Sequence, residues 1–190
     1  MNSYDLVKVL SLKIIDKIMK TNTNILGIIK ERRSVREFTD RDLDNETLKE
    51  ILEAGRWAPS GLNNQPWRFV IVKNDKIKNN LAEQTSYGYI INSAPVNIIV
   101  FMDKSASYDK IKDILSIGAC IQNMLLTAHS LGVGSVWLGE ILKNKDKVNE
   151  ILNVPTDWEL MAVIALGYPV KKKRKSNRKP LRELIYNYEI

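Results

Sequence analysis

At 190 residues, 44% hydrophobic and 27% charged, the chain has the size and composition of one ordinary globular domain with a sizeable core. A single Cys and a single His exclude an intramolecular disulfide framework and a Cys/His zinc site within one chain, so a reducing, cytoplasmic setting is expected. The formal charge of +7 is a local matter: Lys171, Lys172, Lys173, Arg174, Lys175, Arg178, Lys179 and Arg182 are eight cations in twelve residues, and setting them aside takes +7 to −1. A nearly neutral body gives no expectation of nucleic acid as a partner.

No apolar run approaches the roughly 18 residues of a membrane span, and no membrane association is expected. Asp5, Lys8, Lys13, Asp16, Lys17 and Lys20 are spread through the N-terminus, unlike the segregated plan of a secretory signal.

Over residues 4–19, Leu6, Val7, Leu10, Ile14, Ile15 and Ile18 recur near helical spacing and predict an amphipathic helix, which packs on the body or on a second subunit. Its mixed-sign charges argue against a membrane-surface role. Asn24 can cap a short helix through Glu31, and residues 32–38 read as a loop. Asp44 offers an N-cap to a helix over 46–57, with Leu48, Ile51, Leu52 and Gly55 on one face and Pro59 and Gly61 ending it. Residues 58–65 form an irregular turn.

Residues 68–72 and 96–102 read as buried strands, 75–84 as a helix, and Tyr87-Gly88-Tyr89 as a mobile loop between them. Residues 110–131 make the longest helix, closed by Gly132 and Gly134 ahead of a strand over 135–138. A helix over 143–152 ends at Asn153 and Pro155, and a last strand over 159–166 stops at Gly167-Tyr168-Pro169. The alternation predicts an α+β fold with a central sheet covered by helices: residues 1–23 are a helical extension and 24–190 a single domain.

Few residues carry chemistry of their own. His129 near the end of an apolar helix reads as a packed or capping residue, and Cys120 in mid-helix as a buried thiol. No nucleophile elbow, Walker loop or Gly-x-Gly-x-x-Gly is present. A protein with few acids, bases or nucleophiles often leaves the reaction to a cofactor. In Arg32-Arg33-Ser34-Val35-Arg36, an extended backbone would project Arg32, Ser34 and Arg36 to one side, a set suited to a phosphate or to a solvated charged loop. Pro59-Ser60-Gly61-Leu62-Asn63-Asn64-Gln65-Pro66-Trp67 gathers a hydroxyl and three amides between stiffening prolines. It suits a heteroaromatic ring edge, or is a polar loop.

Taken in order, these segments resemble the FMN-dependent nitroreductase family. Residues 31–38 and 54–69 carry the likeness. So do Gly118-Ala119-Cys120-Ile121-Gln122-Asn123-Met124-Leu125-Leu126-Thr127-Ala128, Leu131-Gly132-Val133-Gly134-Ser135-Val136-Trp137-Leu138-Gly139, Leu166-Gly167-Tyr168-Pro169 and Arg178-Lys179-Pro180-Leu181. The resemblance implies a mixed or antiparallel sheet, a homodimer, and two FMN sites built at the subunit interface. It implies that Arg32, Arg33, Ser34 and Arg36 hold the flavin phosphate and ring edge, with Arg178 returning to the phosphate. Pro59, Ser60, Gly61 and Asn63, with Gln65, would reach the isoalloxazine from the other subunit, and Trp137, Leu138 and Gly139 would lie against the ring. Ser116 stands where many relatives carry an Asp, a departure that would remove a helix-positioning contact.

The implied reaction is a ping-pong hydride transfer through flavin N5, from NADH or NADPH to a nitroaromatic, quinone or other small oxidised acceptor, with no catalytic side chain. Narrower reactions of the family, such as enone reduction or reductive dehalogenation, are alternatives. A flavin-binding regulatory module without NAD(P)H turnover is another, and a nucleic-acid role for 171–175 a third.

Overall fold

Eight successive residues of β2 (Val96–Asp103) are buried. Because alternate side chains of a strand point to opposite faces, β2 must sit inside a sheet covered on both sides. It pairs antiparallel with β1 (Trp67–Val72) and β4 (Trp158–Gly167), and β4 pairs antiparallel with β3 (Gly134–Leu138), giving the order β1-β2-β4-β3. The expected mixed or antiparallel sheet is thus wholly antiparallel within its four strands. A register shift between Val100 and Phe101 passes over Met161, so Leu160 and Ala162 contribute to opposite faces.

This computed structural model describes residues 25–172 and 174–187; the helix expected over 4–19, the Asn24 cap and the boundary at residue 23 lie outside them. The helices are α1 (Ile25–Glu31), α2 (Asn45–Arg56), α3 (Asp75–Ala82), α4 (Gly88–Ser93), α5 (Lys110–Ser130) and α6 (Lys145–Leu152). Val96, Ile98, Val100 and Met102 of β2 face α2 and α5 through Ile51, Ile117, Ile121 and Met124. Ile99 and Phe101 face α3, α4 and α6 through Leu81, Ile90, Ile91 and Val148.

The caps follow the local chemistry. Asp44 accepts from Thr47 N at 2.7 Å, and Asn74 from Ile77 N at 3.1 Å. The loop expected at Tyr87-Gly88-Tyr89 is instead the start of α4, since Ile90 and Ile91 are fully buried while Tyr87 and Tyr89 stay exposed. Six residues are too few for helical periodicity to register in the sequence.

The segment 32–38 runs extended along the free edge of β3. Ser34 and Ser135 form a parallel bridge, Val35 N donates to Ser135 O at 2.9 Å, and Phe38 bridges Pro169. Val35 is buried, and Gly134 makes room for it: a Cβ there would lie 2.8 Å from Val35 Cγ1 and 2.9 Å from its Cβ. We expect Gly134→Ala to cost about 1–3 kcal/mol in denaturant unfolding, because a branched side chain fixed at Cβ cannot swing clear. Burial pushes the Cys120 thiol up to about 12, so native protein at pH 8 should resist alkylation by iodoacetamide while unfolded protein reacts.

Candidate functional site

The parallel alignment with β3 leaves Arg32, Ser34 and Arg36 on a cavity of about 520 Å³, together with Arg33 and Arg178. The Phe38–Pro169 bridge and a bond from Val170 N to Glu37 O, at 3.2 Å, bring the basic tail to the same place. Lys172, Arg174 and Lys175 border the cavity as well. They are part of the cradle and not simply a solvated run, although Lys172 meets Glu37, an acid on the same cavity, at 2.8 Å.

Among the described residues no carboxylate pairs with Arg32, Arg33, Arg36 or Arg178. Partial burial, then Arg178, then Arg33 depress the Arg32 pKa, so the guanidinium loses some of its water and is repelled by its neighbours. Arg33 donates Nη1 to Lys30 O at 2.6 Å and Arg32 O at 2.8 Å, and its buried Nε has no partner. Such a concentration of like charge is relieved by an anion with several oxygens.

Pro59 to Gln65 forms a turn of unusual backbone: Leu62, Asn63 and Gln65 all have positive φ, at 54°, 55° and 47°, a region that non-glycine residues seldom occupy. Internal bonds hold it. Ser60 Oγ accepts from Gln65 N at 3.0 Å, and Gln65 Nε2 donates to Asn63 O at 3.1 Å. Arg68 donates Nη1 to Gln65 O at 3.1 Å while its Nη2 meets Asp103 at 2.6 Å. At Gly61 the Tyr108 hydroxyl lies 1.8 Å from where a Cβ would stand, so the ring covers the glycine. Leu62 at the tip is 86% exposed.

The turn leads into β1, whereas the cradle lies on β3, at opposite edges of the sheet. Three strand spacings alone are about 14 Å, and no residue of 59–67 borders the cradle cavity. One chain therefore does not bring together the two groups that the sequence singles out. Trp137 and Leu138 end β3, the strand along which the cradle segment runs, and Gly139 follows them, but none of the three borders the cavity itself. Trp137 is 43% exposed and Gly139 has open space where a Cβ would be, but the Leu138 side chain is buried, which leaves only its backbone to face a ligand.

Sequence reasoning missed two acids. Glu140, following Gly139, accepts from Thr85 Oγ1 at 2.5 Å and Ser86 N at 3.0 Å. The Lys143 ammonium and then the Thr85 hydroxyl pull its carboxyl down to about 2. Asp113 binds Asn64 of the turn. Its signal lay in its phase: with Ile117, Cys120 and Met124 it falls on the buried face of α5. Among the described residues, Ser116 Oγ donates to Lys112 O of its own helix, at 2.9 Å, and ties the helix to no other element.

The chain is similar to known proteins in sequence and in fold. The sequence model of the nitroreductase family matches residues 29–86 and 82–168. A protein of Methanothermobacter thermautotrophicus, provisionally named an NADH dehydrogenase/NAD(P)H nitroreductase, is 37% identical over 153 residues, 78% of each chain. An iodotyrosine deiodinase of Thermotoga neapolitana is 29% identical over 189 residues, 86% of this chain and 97% of that one. The crystal structure of a provisionally named nitroreductase from Desulfovibrio desulfuricans in complex with FMN superposes with a TM-score of 0.84 and 42% identity, covering 88% of this chain and 98% of that one. The chain belongs to the nitroreductase family.

Proposed function

We propose that the protein is an FMN-dependent NAD(P)H oxidoreductase of the nitroreductase type, acting in a reducing cytoplasmic setting. The observation that carries this reading is the cradle of Arg32, Arg33, Arg36 and Arg178, unpaired with any carboxylate among the described residues and suited to a phosphate dianion. When bound, FMN supplies the hydride chemistry, accepting from NADH or NADPH and passing reducing equivalents to a nitroaromatic, quinone or other small oxidised acceptor.

The protein's own part is to bind, orient and exclude water. Guanidinium forks and the Ser34 hydroxyl hold the phosphate. Trp137, the Leu138 backbone and Gly139 border the ring, and Ser60, Gly61, Asn63 and Gln65, with Pro59, present amides and a hydroxyl to the ring from the other subunit.

That last assignment rests on a second copy of the chain. On α5, Ile111, Ile114, Leu115 and Gly118 recur at i, i+3, i+4 and i+7, beside the buried arc of Ile117, Ile121 and Met124 and continuing it round the helix. Ile111 is 74% and Leu115 69% exposed, and nothing lies within 4 Å of a Cβ at Gly118. The stripe begins at the end of α5 to which the turn is fastened. A homodimer that covers it would carry each turn to the partner's cradle and close the distance that one chain leaves open.

Purified protein should carry about one FMN per chain and bleach on anaerobic addition of NADH or NADPH; colourless protein that takes up no added FMN would exclude the reading. Retained flavin with no NAD(P)H oxidation would favour the regulatory module, and comparing nitroaromatic, quinone, enone and halophenol acceptors separates the family's reactions. Arg178→Ala should weaken FMN by about 1.5–3 kcal/mol, the range for a hydrogen bond to a charged group, while Lys171→Ala, outside the cavity, leaves it unchanged in fluorescence titration. By light scattering the protein should be a dimer, with Leu115→Glu giving monomers that have lost flavin.

A further inference from the structure

Asp113 lies in the first turn of α5 with no exposed surface. Its oxygens face two ways. Oδ2 accepts from Ser107 Oγ at 2.6 Å and from the backbone N–H groups of Tyr108 at 3.1 Å and Asp109 at 3.3 Å, all in the loop before the helix. Oδ1 accepts from Asn64 Nδ2 at 2.8 Å, across the gap to the turn.

The other Nδ2 hydrogen of Asn64 goes to Ala106 O at 3.0 Å. These two acceptors fix the amide's orientation, because a flipped Asn64 would set its own oxygen against a carboxylate and a carbonyl. The fit is so one-sided that Asn64 Oδ1 is left buried without a donor. The same carboxylate seats Tyr108, whose ring covers Gly61 of the turn.

A buried charge is a poor way of adding stability to a core. What this one adds is a defined position, for both Asn64 and Tyr108, against the helix that carries the exposed apolar stripe. Burial would push the carboxyl up, but the bonds from Ser107, Asn64 and the two amides outweigh it and hold it below the ordinary carboxylate range. The group is therefore an anion at neutral pH, able to accept all four bonds at once.

We propose that Asp113 is a positioning residue for the flavin: through Asn64 it holds the Ser60–Gln65 turn in the strained form that meets the isoalloxazine ring. The inference rests on the assignment of that turn to the ring under Proposed function. Asp113 touches neither ring nor phosphate in this scheme, so its removal should disturb the ring side of the site and leave the arginine cradle intact.

The test is a cycle of Asp113→Ala, Asn64→Ala and the double variant. Each apo-protein is titrated with FMN by flavin fluorescence, and the visible circular dichroism of the bound flavin is recorded as a readout of the ring's surroundings. Each single change should weaken FMN about ten- to a hundredfold, the loss for one hydrogen bond to a charged group. The double variant should be no weaker than the weaker single, because both remove the same tie. The dichroism bands should change shape in all three, whereas Arg178→Ala weakens FMN without changing them. Additive losses, or wild-type affinity with unchanged dichroism, would overturn the inference while the functional reading stood. Wild-type protein that binds no FMN would overturn both. Should Asp113→Ala fail to fold, Asn64→Ala decides alone, since its half-buried amide can be removed while Asp113 keeps its other three donors; an unchanged dichroism there overturns the inference.

Discussion

The pairing of β2 with β4 runs from Val96 opposite Leu166 to Asp103 opposite Trp158, and along it nearly every side chain is out of water. Two adjacent strands buried on both faces leave no room in the middle of the sheet for polar segments. The anion cradle and the strained turn are consequently at its margins, the one laid along β3 and the other leading into β1. The separation of the two halves of the candidate site follows from this, since the margins of a four-stranded sheet are the most distant places it offers. The exposed stripe that adjoins the buried face of α5 fits the same plan, as an apolar arc wider than the helix's own core contact leaves surface for a second partner.

Electrostatics and packing are set against each other at the cradle. Val35 buried against Gly134 fixes the backbone of 32–36, and the arginines on either side of Val35 then have little freedom to move apart. Their mutual repulsion is a cost accepted in the folded chain, of the kind expected where a ligand of opposite charge completes the structure. Lys172 is paired with Glu37 and adds less to this imbalance.

Much of the architecture is written in local chemistry. Asp44 as a cap, the break after α5 at Gly132, with φ of 74°, and the left-handed Asn153 at the end of α6 each correspond to a residue type with a known backbone preference. The cradle is legible in part, because alternation along an extended Arg-Arg-Ser-Val-Arg brings Arg32, Ser34 and Arg36 together, whereas Arg33 borders the same cavity against that alternation. α4 is not, since it is short and is defined by what Ile90 and Ile91 touch. Nor is the role of Lys172, Arg174 and Lys175, which depends on a bridge between Phe38 and Pro169, more than a hundred residues apart in the chain. Asp113 lay in between: its phase marked it as buried, but its partner Asn64 is separated from it by 49 residues, and only the tertiary fold shows the pair.

The positive φ values at Leu62, Asn63 and Gln65 also bear on how binding is divided between folding and association. A loop that is floppy when free must be ordered by its ligand, and the lost conformational freedom is subtracted from affinity. Here the uncommon backbone is already set by Ser60, Asn64 and Arg68, with two carboxylates behind them. The entropy is surrendered when the chain folds, so a ligand that met this turn would find a surface already organised, and little of the interaction made there would have to be spent on shaping the protein.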